Sequence, residues 1–277
     1  MHDIHQTNAT AAAARGTHRV RHETRLRRLK VLRTQRLTPT LLRVTLGGEE
    51  LAGFTSVAAD DHVKVFFPAQ PGGAPILPAK YREPGAADGP EPISRDYTPR
   101  RFDAGRLELD IEFALHGEGP AAHWAAHAAP GQDLAIGGPR GSFVLQGEFD
   151  WYLLVGDETA LPAIARRLEE LPAGARAFVI AEIDDAASEL PLRSAAALQV
   201  TWVHRNGVES GSDALLSAAL AAFALPPGVG YTWIAAESSV ARGLRAQLLA
   251  AGHDKRWLKA AGYWKRGASA AHERIDD

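Results

Sequence analysis

Two stretches of this chain obey different rules, and the contrast between them limits the fold more than any other feature. From Leu107 to Leu115 the apolar residues Leu107, Leu109, Ile111, Phe113 and Leu115 alternate with Glu108, Asp110 and Glu112. A period of two gives an extended chain one apolar and one polar face, the pattern of an antiparallel strand resting on a core. From Trp151 to Val155 five apolar residues run without a break. A continuous run suits a strand covered on both faces, as in a parallel sheet flanked by helices. The architecture therefore changes between the two, and the boundary is placed near Phe149.

The 277 residues suffice for two such domains. The other runs sort accordingly. Leu26 to Arg36, Leu41 to Leu46, Asp61 to Phe67 and Asp133 to Ile136 are short strands broken by Thr38-Pro39, Gly47-Gly48 and Pro68. Together with the alternating strand and the extended segment at Arg95 to Arg100 they predict a six-stranded antiparallel barrel over residues 25–148. Past the boundary, strands at Ala177 to Ala181, Leu198 to Val203 and Tyr231 to Ala235 alternate with helices at Leu161 to Leu171, Asp213 to Ala222 and Ser239 to Ala250. That order predicts a parallel α/β domain over residues 149–267. Residues 1–24 and 268–277 read as tails, the first of them mobile. Between Ala69 and Ile93 a Pro- and Gly-rich stretch reads as a long loop or lid.

Charge and composition exclude several classes. With 31 basic and 33 acidic side chains the net charge is -2, so no global attraction to nucleic acid is expected. No apolar run approaches the roughly 20 residues that span a bilayer, and the N-terminus lacks the apolar core of a secretory signal. A cytoplasmic enzyme, not inserted in a membrane and monomeric, is the expectation. Without cysteine there is no disulfide, thiolate metal ligand or cysteine nucleophile, so redox chemistry has to come from a bound cofactor. The basic run from Arg15 to Arg36, with Arg19, Arg21, Arg25, Arg27 and Arg28, reads either as an arm for an anionic partner or as a solvated lead into an outward-charged strand.

Four places can carry chemistry. In Arg95-Asp96-Tyr97-Thr98-Pro99-Arg100, Arg95 and Tyr97 stand at alternate steps with the Thr98 hydroxyl beside them, which suits a phosphate, a flat ring and a polar ring edge. A core Tyr and a surface Arg would give the same pattern. In His116-Gly117-Glu118-Gly119-Pro120-Ala121-Ala122-His123-Trp124, glycines and Pro120 open a short helix whose free N–H groups could cradle pyrophosphate. His116 and His123 lack the third partner that a metal site needs. Gly156-Asp157-Glu158-Thr159 follows the first parallel strand but lacks the glycine fingerprint, and its carboxylates would repel pyrophosphate. It reads either as the seat of the uncharged part of a nicotinamide cofactor, at Gly156 and Thr159, or as a plain helix cap. Ala236-Glu237-Ser238-Ser239 lies on the same sheet edge, with Ser238 or Ser239 as the expected cap.

Taken together, the Arg-x-Tyr-Thr-Pro-Arg stretch, His116-Gly117 with Gly-Pro-Ala-Ala-x-Trp, Gly-Pro-Arg-Gly-Ser at 138–142, Gly-Asp-Glu-Thr-Ala-Leu-Pro-Ala at 156–163 and the terminal Gly-Tyr-Trp-Lys-Arg-Gly resemble the siderophore-interacting protein family, within the ferredoxin-reductase-like flavoproteins. The resemblance implies an FAD held by the barrel, NADH or NADPH approaching from the second domain, and a ferric siderophore as substrate whose iron leaves as Fe(II). It implies flavin contacts at Arg95, Asp96, Tyr97, Thr98, His116, Gly117, Ala121 and Ala122, and nucleotide contacts at Thr159, Glu237 and Ser238. It also implies a basic substrate pocket at Lys64, Arg140, Lys265 and Arg266, with no resident metal. A siderophore-binding protein without turnover, a general NAD(P)H:flavin reductase, and ferredoxin as electron donor are the alternatives.

Overall fold

A computed structural model of the chain describes residues 14–70, 72–81, 90–115, 119–267 and 273–275. In the first half it contains strands β1 (Gly16–Arg21), β2 (Leu26–Thr38), β3 (Leu41–Gly47), β4 (Val63–Phe67), β5 (Ile93–Tyr97), β6 (Pro99–Asp103) and β7 (Glu108–Ala114), helix α1 (Pro120–Ala126), and strands β8 (Asp133–Gly137) and β9 (Gly141–Gln146). Seven of these strands make one antiparallel sheet in the order β5-β4-β8-β2-β3-β7-β6. The two edge strands, β5 and β6, are separated in the chain by the single residue Thr98. The sheet therefore curls until its edges meet in one extended run, which is the six-stranded barrel of the sequence reading with one strand counted twice.

Its core is formed by the inward residues of each strand. Val44, Leu46, Val63, Val65, Phe67, Leu109, Ile111, Phe113, Leu134 and Ile136 are all fully buried. Each large side chain removed from water in this way contributes about 1.5–3 kcal/mol. Helix α1 closes the barrel by laying Ala121, Trp124 and Ala125 on it, with the Trp124 ring 5.5 Å from those of both Phe67 and Phe113.

The alternating strand departs from its expected setting in two ways. Leu107 stands in the preceding turn at φ 50, outside β7. The polar face is covered as well: Asp110 is buried and accepts from the Thr45 hydroxyl, and Glu112 is buried beneath Arg43 and Arg100.

That second half contains β10 (Trp151–Gly156), α2 (Leu161–Glu170), β11 (Arg176–Ile183), β12 (Ala197–His204), α3 (Asp213–Ala221), β13 (Gly230–Glu237), α4 (Ser238–Ala250), β14 (Leu258–Trp264) and β15 (Glu273–Arg274). The strand order is β12-β11-β10-β13-β14-β15, parallel except for β15. Helix α2 packs Leu161, Ile164 and Leu168 on one face, while Leu216 and Leu220 of α3 and Val240, Leu244 and Leu248 of α4 pack on the other. Covering on both faces is why β10 and β13 are apolar throughout. β12, expected to be buried, is an edge strand with alternate residues exposed. Gly156 ends β10 where a side chain has no room, since a Cβ would run into the Ala235 carbonyl and lie 2.5 Å from the Ala160 Cβ.

Both expected tails contribute structure. Residues 16–21, read as part of a mobile tail, form β1 and pair with β9 from Gly16↔Gln146 to Arg21↔Gly141. At the other end β15 pairs with β14, and Ile275 is buried.

Candidate functional site

Thr98, the residue between β5 and β6, is where the site is built. The register Val65↔Arg95 and Val63↔Tyr97 puts Arg95 and Tyr97 on the face of two core valines, since residues directly opposite in an antiparallel pair share a face. Tyr97 is half-buried; its ring centroid is 4.4 Å from that of Phe113 and 6.3 Å from that of Phe67. Burial pushes its phenol above the usual range. Arg95 donates from Nη1 to the Ser94 carbonyl at 2.8 Å, and among the described residues it has no carboxylate partner. Thr98 is buried, and its side chain is hydrogen-bonded to the phenol of Tyr263 on β14. The motif is thus tied to the second half of the molecule at Thr98.

The two residues that follow are clamped to α2. Arg166 donates from Nη1 to the Pro99 carbonyl at 2.9 Å and to Ser56 Oγ at 2.8 Å. Arg100 forms a bidentate pair with Glu169, at 2.9 and 2.5 Å, above the buried Glu112, which itself accepts from Arg43 at 2.5 Å. Thr40 reaches Glu158 at 3.1 Å, and Lys259 pairs with Asp60.

Helix α1 begins at Pro120 with Gly119 as its N-cap, and no side chain satisfies its first N–H groups. Ala121 is buried and Ala122 partly exposed. His116 and Gly117 lie outside the described residues.

The basic candidates divide between the two halves. Lys64 projects from the opposite face to Arg95, opposite Asp96, and bonds its carboxylate at 2.8 Å. On its other side Lys64 is in register with Gly137, at the start of the turn that carries the exposed Arg140. Lys265 and Arg266 are exposed and follow Tyr263 at the end of β14. Arg266 bonds the Ser210 carbonyl at 2.6 Å and lies 3.5 Å from Glu209.

At the carboxyl edge of the parallel sheet the side chains bond mainly to one another. Asp157 accepts from the N–H and hydroxyl of Thr159, at 3.0 and 2.5 Å, from the Glu237 N–H at 3.1 Å and from the Trp264 indole at 2.8 Å. Glu237, not a serine, caps α4: its carboxylate accepts from the N–H groups of Ser239 at 2.6 Å and Val240 at 3.2 Å. Burial alone would raise this carboxyl, but those bonds hold it below its ordinary value. Ser238 is fully buried and donates to the Trp264 carbonyl at 3.1 Å. Thr159 remains partly exposed. Behind this edge Arg205 is buried with Glu158 at 3.1 Å and Glu182 at 3.6 Å. Burial, then repulsion from Asp157, pushes Glu182 up to about 7, against the pull of Arg205.

Two family models match the chain in tandem: the siderophore-interacting FAD-binding domain over residues 30–143 and the siderophore-interacting protein domain over residues 149–267. The chain belongs to the siderophore-interacting protein family. Among its relatives, the NADPH-dependent ferric-chelate reductase of Escherichia coli is 38% identical over 251 residues, covering 89% of this chain and 95% of that protein. Ferric vibriobactin reductase ViuB of Vibrio cholerae is 35% identical over 257 residues, covering 89% and 93%. The crystal structure of a siderophore utilization protein from T. fusca superposes with a TM-score of 0.83 at 39% identity, covering 92% of this chain and 98% of that one.

The site of this family member fits FAD on its own chemistry. Among the described residues Arg95 is a guanidinium without a carboxylate and α1 a helix start without a side-chain cap, and Tyr97 is a half-buried ring with one side on the barrel. The sequence from Arg256 to Gly267 interleaves aromatics with bases and reads either as a surface for a large anionic aromatic ligand, by stacking and charge, or as a closing strand; it does not foretell the bonds of Tyr263 to Thr98 and of Trp264 to Asp157. Their placement after an apolar strand, at the ligand edge of a parallel sheet, was the available signal.

Proposed function

We propose that this chain is a flavin-dependent ferric-siderophore reductase that takes reducing equivalents from NADPH and releases chelated iron as Fe(II). The observation that carries the reading is the paired register of Arg95 and Tyr97 on one face of β5, ending at a Thr98 held by Tyr263. Arg95 holds the cofactor's phosphates together with the first N–H groups of α1, at Ala121 and Ala122. Tyr97 supports one face of its ring, and Thr98 meets a polar ring edge. FAD, when bound, converts a two-electron hydride donor into single electrons that ferric iron accepts. The protein's own residues position and charge the site, and none has to move a proton.

The ferric siderophore is held by Lys64, Arg140 and Lys265, with Arg266 at the rim, because its chelating oxygens are anionic. Fe(II) binds such hard oxygens more weakly, so reduction frees it. Thr159 marks the nucleotide's approach, being partly exposed on an edge where Glu237 and Ser238 are buried. NADPH rather than NADH is supported by the name of the Escherichia coli relative. The reading places the protein in the cytoplasm as a monomer; no described helix is long and apolar enough to cross a membrane.

The test is anaerobic. FAD-loaded protein should be bleached by NADPH and recoloured by a ferric siderophore. Flavin that only free flavin reoxidises would favour a general flavin reductase, and colourless protein that still binds ferric siderophore would favour a binding protein.

A further inference from the structure

The carboxylate of Asp157 holds two groups that a ligand at the carboxyl edge of the parallel sheet would meet. One oxygen accepts from the Thr159 N–H at 3.0 Å and its hydroxyl at 2.5 Å, the other from the Trp264 indole at 2.8 Å and the Glu237 N–H at 3.1 Å. Asp157 is buried, whereas Thr159 and Trp264 are both partly exposed. These bonds fill the roughly four acceptor positions of a carboxylate, so Asp157 serves as a mount for its partners.

The indole is fixed on two further sides. The Trp264 carbonyl takes the hydroxyl of the buried Ser238 at 3.1 Å. Its six-membered ring lies on Gly211, at φ 79 in the turn before α3, where a Cβ would stand 2.8 Å from Cη2 and 3.3 Å from Cζ2. No step of the proposed reaction uses this side chain.

An indole held at its N–H and along one edge presents a rigid flat face that has little freedom left to lose on binding. Beside it the Thr159 hydroxyl has given its one proton to Asp157, and so offers a ligand only an acceptor. A flat ring with an exocyclic NH2 group matches the pair, stacking on Trp264 and donating to Thr159. A nicotinamide nucleotide carries such a ring at each end, the carboxamide-bearing nicotinamide and the adenine. We propose that Trp264 is a stacking platform for a ring of the nicotinamide nucleotide, mounted by Asp157 and Gly211. This rests on the reading that such a nucleotide is the electron donor.

The experiment titrates the FAD-loaded full chain with NADP+, which has no hydride to give, and reads the heat of binding. Trp264→Ala should bind NADP+ about tenfold more weakly, the loss of one stacked ring. Trp264→Phe keeps a flat face and should stay within about threefold of the parent. Gly211→Ala, whose methyl displaces the indole, should weaken NADP+ in the parent and change nothing once Trp264→Ala is present, a non-additivity that general loosening of the fold would not produce. FAD retained per protein should stay the same in every variant. Two fragments then name the ring: weaker nicotinamide mononucleotide in Trp264→Ala assigns the nicotinamide, weaker adenosine 2′-phosphate the adenine, and either supports the platform. Unchanged NADP+ affinity in Trp264→Ala, an equal effect of Gly211→Ala with and without Trp264, or loss of FAD in place of NADP+ would each overturn the proposal. A parent that binds neither NADP+ nor NADPH would defeat the donor reading and the platform with it. A parent and a Trp264→Ala variant that bind NADP+ equally tightly would defeat the platform alone.

Discussion

Lys64 and Asp96 face each other across β4 and β5, with Nζ 2.8 Å from the carboxylate. A residue expected to attract substrate and one expected to touch cofactor thus hold each other. Asp96→Asn should release the ammonium and lower the KM for an anionic ferric siderophore about threefold, and Lys64→Ala should raise it by a similar factor, the range of a half-exposed ion pair. Steady-state kinetics checks both. In Lys64→Ala the anaerobic reduction of flavin by NADPH should keep its rate, and equal loss in both half-reactions would contradict the assignment.

Arg100 bridges the two halves of the molecule, pairing with Glu169 and lying 3.6 Å from Glu112, whose side chain is fully buried. Arg100→Met leaves that carboxylate with Arg43 alone in a buried setting. The variant should lose about 3 kcal/mol of stability by urea unfolding, the cost of breaking a buried ion pair on one side. A loss below about 1 kcal/mol would place the pair in the class of exposed surface contacts.

Glu182 ties stability to pH. Burial, then repulsion from Asp157, pushes its carboxyl up to about 7 from an ordinary 4.5. A raised carboxyl pKa means the folded state binds the proton more tightly than the unfolded chain, so stability falls as pH rises from about 4.5 to 7 and is flat above. In Glu182→Gln this decline should vanish, and urea midpoints of variant and parent should diverge between pH 5 and 7. Parallel curves would show that Glu182 ionises normally.

Arg95→Ala should weaken FAD by at least about tenfold, since a charge-assisted hydrogen bond contributes about 1.5–3 kcal/mol. FAD retained after desalting, counted per protein, is the readout. Full retention would move the phosphate site elsewhere.

How much of this was legible in the sequence follows from the range of each interaction. The inward faces of β7 and β10 were readable because Leu109, Ile111, Phe113 and Trp151 to Val155 carry their own periodicity. Burial of Glu112 was not, because Arg43, Arg100 and Glu169 arrive from three distant elements to cover it. β1 escaped notice because Gly-Thr-His-Arg-Val-Arg has almost no apolar face, and its pairing depends on the absence of a side chain at Gly141. The α4 cap was misassigned to a serine because β13 runs on through Glu237, which places the turn where a glutamate does the work of an Asp or Ser. In the site, the motif from Arg95 to Thr98 stood out by residue type, whereas Tyr263 could be linked to Thr98 only once the two halves were packed together.

The central claim is that this chain passes electrons from a bound flavin to chelated iron. The direct measurement is to reduce the FAD-loaded protein with one equivalent of NADPH without oxygen, add ferric siderophore, and follow the flavin band together with a colorimetric Fe(II) trap. Electron balance predicts full return of the band with two Fe(II) trapped per flavin. A flavin that stays reduced while the ferric siderophore remains intact would contradict the account.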